Sequence, residues 1–329
     1  MLRTLYSCLF LSFGLLVASA QESNVVFQFL KFPYSARASA LGGSNVSIIE
    51  NDISLIYQNP AFLGTEMDKS LNVNYMFYVA DIGIGNATYT KAIGERNCWG
   101  IGVNYVNYGN MQETTEQDVI VGDLAIKDIG TNIFYAHDLT EKLRGGVNAK
   151  FVYSLYDEYT SIGIGVDLGL SYFDQENNFS MGLVGKHLGR QVKAYDEEYL
   201  NMPWEIQFGI SKKLAHAPIR FSVTAVDLNR WNYFDMVTGE KKSFSNTFVQ
   251  HLIFGVDFIP TENLWIAVGY NARTASDMSL EQGNKMGGFS IGAGLNLKSI
   301  KISCAMAKYH PSASSFIVGL TTSFSEVKL

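Results

Sequence analysis

Residues 289–297 read FSIGAGLNL, and the alternation in this stretch decides the fold class. Every second side chain is apolar, whereas the positions between them hold serine, glycine or asparagine. Successive side chains of a β-strand point to opposite faces of the sheet, so the stretch predicts a strand with one apolar face and one small, polar face. The same pattern recurs at 99–105, 162–172 and 316–324, which predicts an all-β chain.

Fourteen segments of this kind follow one another along the chain. Most are close to the roughly 9–11 residues that a tilted strand needs to cross a bilayer, and several are longer. An even number is usual in single-chain outer-membrane barrels. The segments are 70–80, 82–92, 98–108, 124–138, 143–156, 159–173, 177–187, 204–214, 218–228, 250–260, 263–271, 286–298, 300–309 and 314–325.

The links between the segments are sorted by length. Long links at 109–123, 188–203, 229–249 and 272–285 each follow an odd-numbered segment, whereas every link after an even-numbered segment is short. In an up-and-down sheet this order places all long loops at one end. Outer-membrane barrels are built in this way, with short turns at one end and long loops at the other.

The polarity of the two faces predicts a barrel that lies in lipid. A closed sheet pairs every backbone group and so is stable in a bilayer. We therefore predict a 14-stranded antiparallel transmembrane β-barrel whose apolar face meets lipid; a large soluble barrel or sandwich is the alternative. The predicted lumen is polar and includes Asn104, Asn132, Lys150, Asp167, Thr224 and Asn296.

Composition narrows the class of protein further. The formal net charge is −6, hydrophobic residues make up 47% of the chain and charged residues only 17%. There is no run of lysine or arginine, so nucleic-acid binding is disfavoured. Beyond the first 20 residues no apolar stretch is long enough for a membrane-spanning helix.

The chain divides into four parts. Residues 1–20 combine Arg3, a short apolar core and an Ala-Ser-Ala exit, which predicts a signal peptide with Gln21 as the first mature residue. We assign 21–68 to an N-terminal plug, 69–325 to the barrel and 326–329 to a C-terminal tail. Two cysteines remain, Cys98 and Cys304, and their positions on separated strands argue against a disulfide.

The assignment of a plug follows from the amino-acid composition of residues 34–64, which are rich in small side chains. Small side chains allow close packing against a wall of glycine and serine, and Gly42-Gly43 allows a tight turn. Asp52 is placed to cap a short helix over 53–58 that Asn59-Pro60 ends. A fourteen-stranded barrel without a filler would leave an open lumen. A loose arm outside the barrel is the alternative.

This segment resembles the start of the FadL-like superfamily of long-chain fatty-acid transporters, and more closely the PorV/PorQ family of type IX secretion barrels. The carrying stretches are 29–33, 35–43, 51–52 and 59–61, and the length resembles the shorter, PorQ-type members. The plug-motif residues are Ser35, Ala36, Arg37, Leu41, Gly42, Gly43, Asp52, Asn59, Pro60 and Ala61.

The resemblance implies a fold and a set of partners. Members are fourteen-stranded outer-membrane barrels with an N-terminal plug. They act in the complex that attaches exported cargo proteins to the cell surface. The implied partners are outer-membrane lipids and a PorZ-like surface protein, with the sortase-like PorU and PorV as further members of the complex. The expected place is the bacterial outer membrane, with the long loops facing the cell exterior and both termini in the periplasm.

Catalytic and cofactor signatures are missing from the sequence. None of the five histidines forms an H-x-x-x-H pair, and neither mature cysteine has a C-x-x-C partner. There is no G-x-S-x-G elbow. We therefore expect no enzyme activity, no cofactor and no metal site.

The long loops hold the candidate partner-binding residues. Aromatic side chains together with arginine are the usual anchors of a protein interface. An aromatic belt at the lipid headgroups is the alternative, which we favour for Trp204 and Trp265 near strand ends. The candidates are Trp231, Tyr233, Phe234, Phe244, Tyr195, Tyr199 and Arg273.

Two other functions stay open at this point. A FadL-like transporter of fatty acids or other hydrophobic solutes needs an apolar track into the lumen, and the polar lining argues mildly against one. A structural barrel without a partner is the third possibility.

Overall fold

Fourteen strands close into a single antiparallel barrel in the computed structural model, which describes residues 25–109, 111–114, 120–124, 126–233, 243–278, 287–310 and 313–324. The predicted strand number and fold class are confirmed. The barrel strands are β1 (Ser70–Phe77), β2 (Gly83–Ile93), β3 (Asn97–Asn107), β6 (Ile126–Asp138), β7 (Leu143–Tyr156), β8 (Tyr159–Asp174), β9 (Phe179–Lys193), β10 (Glu205–Lys213), β11 (Ile219–Ala225), β12 (Leu252–Thr261), β13 (Leu264–Asn271), β14 (Phe289–Leu297), β15 (Ile300–His310) and β16 (Ala313–Ser323).

The first and last strands close the ring. β1 pairs with β16 from Ser70 opposite Ser323 to Phe77 opposite Phe316, and its other edge pairs with β2. Closure leaves the barrel without a free first or last strand, which is what a sheet in lipid requires. Each strand otherwise pairs with its neighbours in chain order, so the barrel is an up-and-down meander.

The long links meet at one end of the barrel, as predicted. They are 108–125, 194–204, 226–251 and 272–288, and they follow the third, seventh, ninth and eleventh barrel strands. The first contains a hairpin of β4 (Met111–Thr114) and β5 (Ile120–Leu124). The third and fourth contain the helices α2 (Phe244–Gln250) and α3 (Ala272–Met278). We call this end the long-loop end and the other the short-turn end.

The predicted end of β9 is wrong. The second long link was expected to begin at residue 188, but β9 continues to Lys193 and pairs with β8 over its added length. A β-bulge opposite Val166–Leu168 is the reason, because His187 has a φ of 57° there. The bulge shifts the alternation by one residue, and this hides the rest of the strand from a period-two search.

The two faces of the wall have the predicted polarity. Asn132 on β6 points inward and is 1% exposed, whereas its neighbour Ile133 points outward and is 56% exposed. Five of the six predicted lumen residues are buried; Asn296 is half-buried. The outward face instead carries large apolar side chains, such as Phe151 and Leu168. This inside-out arrangement is the one expected for a barrel surrounded by lipid.

The segment before β1 folds into short helical turns inside the barrel. Ser35 caps α1 (Ala36–Ala40) by accepting from the Ala38 amide at 3.3 Å. Asp52 caps the 3-10 helix Ile53–Tyr57, and Asn59 caps the next one, Pro60–Phe62. Two further 3-10 helices, Gln28–Lys31 and Thr65–Met67, begin and end the segment. The predicted cap at Asp52 and the break at Asn59-Pro60 are confirmed.

Close contact between this plug and the wall depends on inward-facing glycines. At Gly182 on β9 a Cβ atom would overlap the Val46 carbonyl, and at Gly146 on β7 it would overlap the backbone of Pro60. Asn59 donates to the Leu170 carbonyl at 3.2 Å, and the Gly42 amide donates to Ser290 Oγ at 2.9 Å. The plug therefore touches the wall on widely separated strands.

Charged groups fix the plug near the short-turn end. The fully buried Arg37 lies 3.1 Å from Asp257 and 3.3 Å from Glu50, and its guanidinium lies 4.0 Å from the Trp265 ring centroid. Arg220 of the wall binds the same two carboxylates, Glu50 at 2.8 Å and Asp257 at 2.9 Å. A cavity of about 380 Å³ lies beside these four charged residues, and Glu50 forms part of its lining.

The described chain enters and leaves the barrel at opposite ends. The Val26 amide donates to the Asn201 carbonyl of a long link at 2.9 Å, whereas Phe324 bonds Lys69 at the short-turn end. The plug therefore runs through the lumen from the long-loop end, where the described chain begins, towards the short-turn end, where it finishes. The expectation that both termini lie in the periplasm stays a prediction. The predicted signal peptide, residues 21–24 of the predicted plug, and the tail lie outside the described residues.

The two described cysteines lie on strands that are far apart in the barrel. Cys98 on β3 and Cys304 on β15 are four strands apart, and both are free thiols in the structure. At about 4.8 Å per strand this separation, roughly 19 Å, is too large for a disulfide.

In the parts of the chain that the structure describes, no helix is long and apolar enough to cross a membrane.

Candidate functional site

Four of the predicted partner-binding residues meet at the long-loop end. Trp231 and Tyr233 follow β11, Phe244 begins α2, and Arg273 lies in α3. Two separate links therefore build one cluster. Phe234, also predicted, lies outside the described residues.

The outer part of the cluster is an exposed aromatic stack. Trp231 stacks on Phe244 with ring centroids 5.7 Å apart and planes inclined by 10°, and Phe244 in turn lies 6.5 Å from Phe248. Phe244 is 75% exposed, and Phe248 and Val249 are exposed as well. We call Trp231, Phe244, Phe248 and Val249 the aromatic surface.

Helix geometry explains how the sequence builds this surface. Residues four apart share one face of a helix, so α2 presents Phe244 and Phe248 side by side. The indole of Trp231 is held by its Nε1, which donates to the Leu228 carbonyl at 2.8 Å. Gln250 donates to Ser276 Oγ at 3.0 Å and so joins α2 to α3.

A layer of three buried side chains and the half-buried Arg273 lies beneath the aromatic surface. His251 lies 4.6 Å from the Trp231 ring and 5.0 Å from the Tyr233 ring. Arg273 stacks on Tyr233 at 4.7 Å and binds Asp227 at 2.5 Å. We call Asp227, Tyr233, His251 and Arg273 the support layer.

Burial and charge set the protonation of this layer. Burial raises the pKa of the Asp227 carboxyl, but Lys31, Arg273 and Arg230 more than offset this and hold the pKa below its usual value. Burial lowers the pKa of His251, and its Nδ1 lies 2.7 Å from the Val226 carbonyl. The layer thus pairs an ionised carboxylate with a guanidinium beneath neutral aromatic rings at pH 7.

The two remaining candidates lie in the link between β9 and β10. The hydroxyl of Tyr195 bonds Ser154, which in turn bonds Asp128, and Tyr108 donates to the same carboxylate at 2.6 Å. Tyr195 is thus engaged in a network of the wall. Tyr199 is 64% exposed and accessible to a partner, but it lies in a different link from the aromatic surface.

Sequence reasoning did not identify several members of the site. Phe248 and Val249 were not singled out, because residues 229–249 were taken as one loop. Asp227 and His251 were not singled out, because they fell in the flanking predicted strands 218–228 and 250–260. The i,i+4 spacing of Phe244 and Phe248 behind Ser243 is the signal that would have predicted the helix.

The plug-motif residues have a structural place inside the barrel. All ten are buried or half-buried, and their polar atoms cap helices or bond the wall. Ala61, for example, accepts from Ser171 Oγ at 3.0 Å. Within the described parts of the chain, no group of three His, Cys, Asp or Glu residues is arranged to hold a metal ion.

The closed wall, the outward apolar face and the plug define a FadL-like outer-membrane barrel fold. The chain is similar to the toluene transporter TodX of Pseudomonas putida, with a TM-score of 0.54, 12% identity and coverage of 88% of this chain and 97% of that chain. It is similar to a FadL homologue of Pseudomonas aeruginosa, with a TM-score of 0.51, 12% identity and coverage of 88% and 98%.

A third solved structure agrees with these two. It is a TodX deletion mutant described as a monoaromatic hydrocarbon channel, with a TM-score of 0.55, 12% identity and coverage of 88% of this chain and 99% of that chain. At this level of identity the likeness concerns the fold. No protein-family model matches the sequence, and no curated protein matches it.

Proposed function

We propose that the protein is a non-enzymatic outer-membrane component of the type IX secretion system that anchors a cell-surface protein of the cargo attachment complex. In this proposal the long loops face the cell exterior, and the partner is PorZ-like. The observation that carries the proposal is the aromatic surface, which projects from the long-loop end of a plugged barrel. The plug motif, which resembles that of the PorV/PorQ family, supports it.

The build of the site favours protein binding. Trp231 and Phe244 are large, rigid and exposed, and such side chains contribute most of the affinity of many interfaces. The arginine next to them is paired and stacked, so docking a partner does not require the burial of an uncompensated charge at this position. Each of the two aromatic anchors is expected to contribute about 2 kcal/mol to binding.

Transport of a hydrophobic solute is the second candidate, because the fold is shared with TodX and the FadL homologue. Two features weigh against it. The plug contacts the wall at Gly146, Gly182 and Ser290, and the lumen side of the strands is lined by asparagine, serine and threonine. An apolar solute gains little from such a lining.

Affinity purification from the native outer membrane tests the proposal. The tagged protein, extracted in mild detergent, is expected to retain a large surface-exposed protein that mass spectrometry identifies. The double variant Trp231→Ser/Phe244→Ser should lose that protein, since a loss of about 4 kcal/mol lowers affinity by roughly a thousandfold. The matched control is Tyr159→Ser, which removes an exposed aromatic ring at the same end of the barrel.

Three results decide the outcome. Loss in the double variant but not in the control supports the proposal. Equal retention by both variants overturns the assignment of the surface. Recovery of the barrel with bound fatty acid or another apolar solute, and without a protein, favours the transporter.

A further inference from the structure

The plug and the partner surface share one buried carboxylate. Asp227 Oδ2 lies 2.5 Å from Arg273 Nη1, which belongs to the support layer. Its other oxygen, Oδ1, lies 3.7 Å from Lys31 Nζ, which belongs to the plug. Asp227 is itself buried, so both attractions act in a medium that screens them weakly.

Lys31 ends a strap that holds the plug to the long-loop end. The strap, residues 25–31, begins with the Val26 amide bonded to Asn201 and ends with the 3-10 helix Gln28–Lys31. Phe27, in the left-handed region with a φ of 58°, and Phe29 are both buried against inward-facing glycines of the wall. Within the described residues, the strap therefore joins the site through the Lys31–Asp227 pair, beside the buried carboxyl of Glu205, and joins the barrel through apolar contacts.

An unbroken series of contacts runs from the exposed rings to this strap. Trp231 lies on His251, and His251 lies on Tyr233. Tyr233 lies under Arg273, whose Nη1 also lies 3.2 Å from the Tyr233 hydroxyl. Arg273 then binds Asp227, and Asp227 faces Lys31.

We propose that Asp227 couples the partner surface to the plug, so that a protein docked on the aromatic surface steadies Arg273 and Asp227 and thereby tightens the strap. The identity of the docked protein rests on the proposed function; the coupling itself does not. A coupling of this kind is reciprocal, so a change in the strap must alter the loops by the same factor.

Hydrogen–deuterium exchange of the detergent-purified full chain, without a partner, tests the coupling. Asp227→Asn removes the charge that faces Lys31, and the amides of the strap are expected to exchange about 5–10 times faster, as loss of a partly buried ion pair predicts. The matched control is Glu158→Gln, an exposed carboxylate in the turn after β7 at the same end, which should leave the strap unchanged. Unchanged exchange in Asp227→Asn overturns the proposal.

Because the coupling is reciprocal, it can also be tested from the plug side, with a variant that replaces no residue of the support layer. Lys31→Gln changes only the partly exposed plug side of the pair, and it should accelerate exchange in residues 243–251 by a similar factor. If Asp227→Asn does not assemble, as its electrophoretic mobility before and after heating would reveal, Lys31→Gln decides alone. Faster exchange confined to the strap in Lys31→Gln would contradict the coupling.

An exchange experiment with the partner protein distinguishes a failure of the coupling from a failure of the proposed function. If the purification described above yields a partner, adding it should slow exchange of the strap in the parent and not in Asp227→Asn. Slowing in both, or in neither, overturns the coupling while the partner assignment stands. If no partner is recovered, the function fails, and the two partner-free measurements still decide the coupling.

Discussion

Replacing Glu50 by glutamine is expected to loosen the plug near the short-turn end. The Glu50 carboxylate lies 2.8 Å from Arg220 on the wall and 3.3 Å from the fully buried Arg37 of the plug. Glutamine keeps the shape and one oxygen acceptor but removes the charge. Among the described residues, Arg37 and Arg220 then share Asp257, so two largely buried guanidinium groups face one carboxylate.

The size of the effect follows from the protonation of Glu50. Burial raises its pKa, but Arg220 and Arg37 outweigh burial and bring the pKa from 4.5 to about 2. That difference corresponds to roughly 3 kcal/mol of preference for the ionised form. The side chain is 29% exposed, where it borders the cavity, and glutamine retains a hydrogen bond, so we expect a loss of about 2 kcal/mol.

Two assays measure this loss at pH 7. A change of about 2 kcal/mol makes transient opening of the plug about 30 times more frequent, and hydrogen exchange across residues 46–57 should accelerate by that factor. In planar bilayers, Glu50→Gln should show brief openings more often than the parent. The matched control is Glu95→Gln, an exposed carboxylate in the short turn after β2.

The direction in which the contribution of Glu50 to plug stability changes with pH can be checked. Because the pKa of Glu50 is lower in the folded protein, its contribution is complete above pH 4.5 and is lost as the pH falls through about 2. The opening frequencies of parent and variant should therefore converge as the pH is lowered across this range. Equal exchange and equal conductance of Glu50→Gln and Glu95→Gln at pH 7 would refute the reasoning.

Three further predictions concern the wall, the site and the membrane face. Gly182→Ala should accelerate exchange in residues 44–48, because its Cβ would overlap the Val46 carbonyl, whereas Gly85→Ala, which meets only ordinary contacts beyond 3.5 Å, should not. Protonation of His251 should quench Trp231 fluorescence with a midpoint below pH 6.5, since burial lowers the pKa of this histidine; persistence of the midpoint in His251→Phe would contradict this. Ile133→Asp should reduce insertion of the barrel, at a cost in lipid somewhat below the roughly 2–4 kcal/mol of a lysine or arginine at the bilayer midplane, whereas Asn132→Asp on the lumen side should not; equal assembly of the two variants in vesicles would contradict the assigned faces.

Much of the barrel could be predicted because its signals are local. Strand number and loop sorting follow from a period of two and from link lengths, and both are read within about ten residues. The end of β9 could not be found in this way, because the bulge at His187 breaks the alternation and residues 188–190 are all exposed. A bulge arises from pairing with a neighbouring strand, which a single strand's sequence does not display.

The interior depends on contacts between distant parts of the chain. The small residues of the plug predicted close packing, and Gly182 confirms it. The ion pair of Arg37 with Asp257 joins residues more than 200 positions apart, so no spacing rule points to it. In the site, the aromatic composition identified Trp231 and Phe244. Asp227 entered through its pair with Arg273 of another link, and His251 entered because the link 226–251 folds back on itself.

Photo-crosslinking from position 244 in intact cells tests the central claim most directly. Phe244, 75% exposed, is replaced by p-benzoylphenylalanine, and the same probe at the outward-facing Ile133 serves as the lipid-facing control. The account predicts that ultraviolet light joins the probe at 244 to one large surface protein, while the probe at 133 yields no protein adduct. Adducts with lipid alone from both positions would contradict the claim that this barrel anchors a protein at the cell surface.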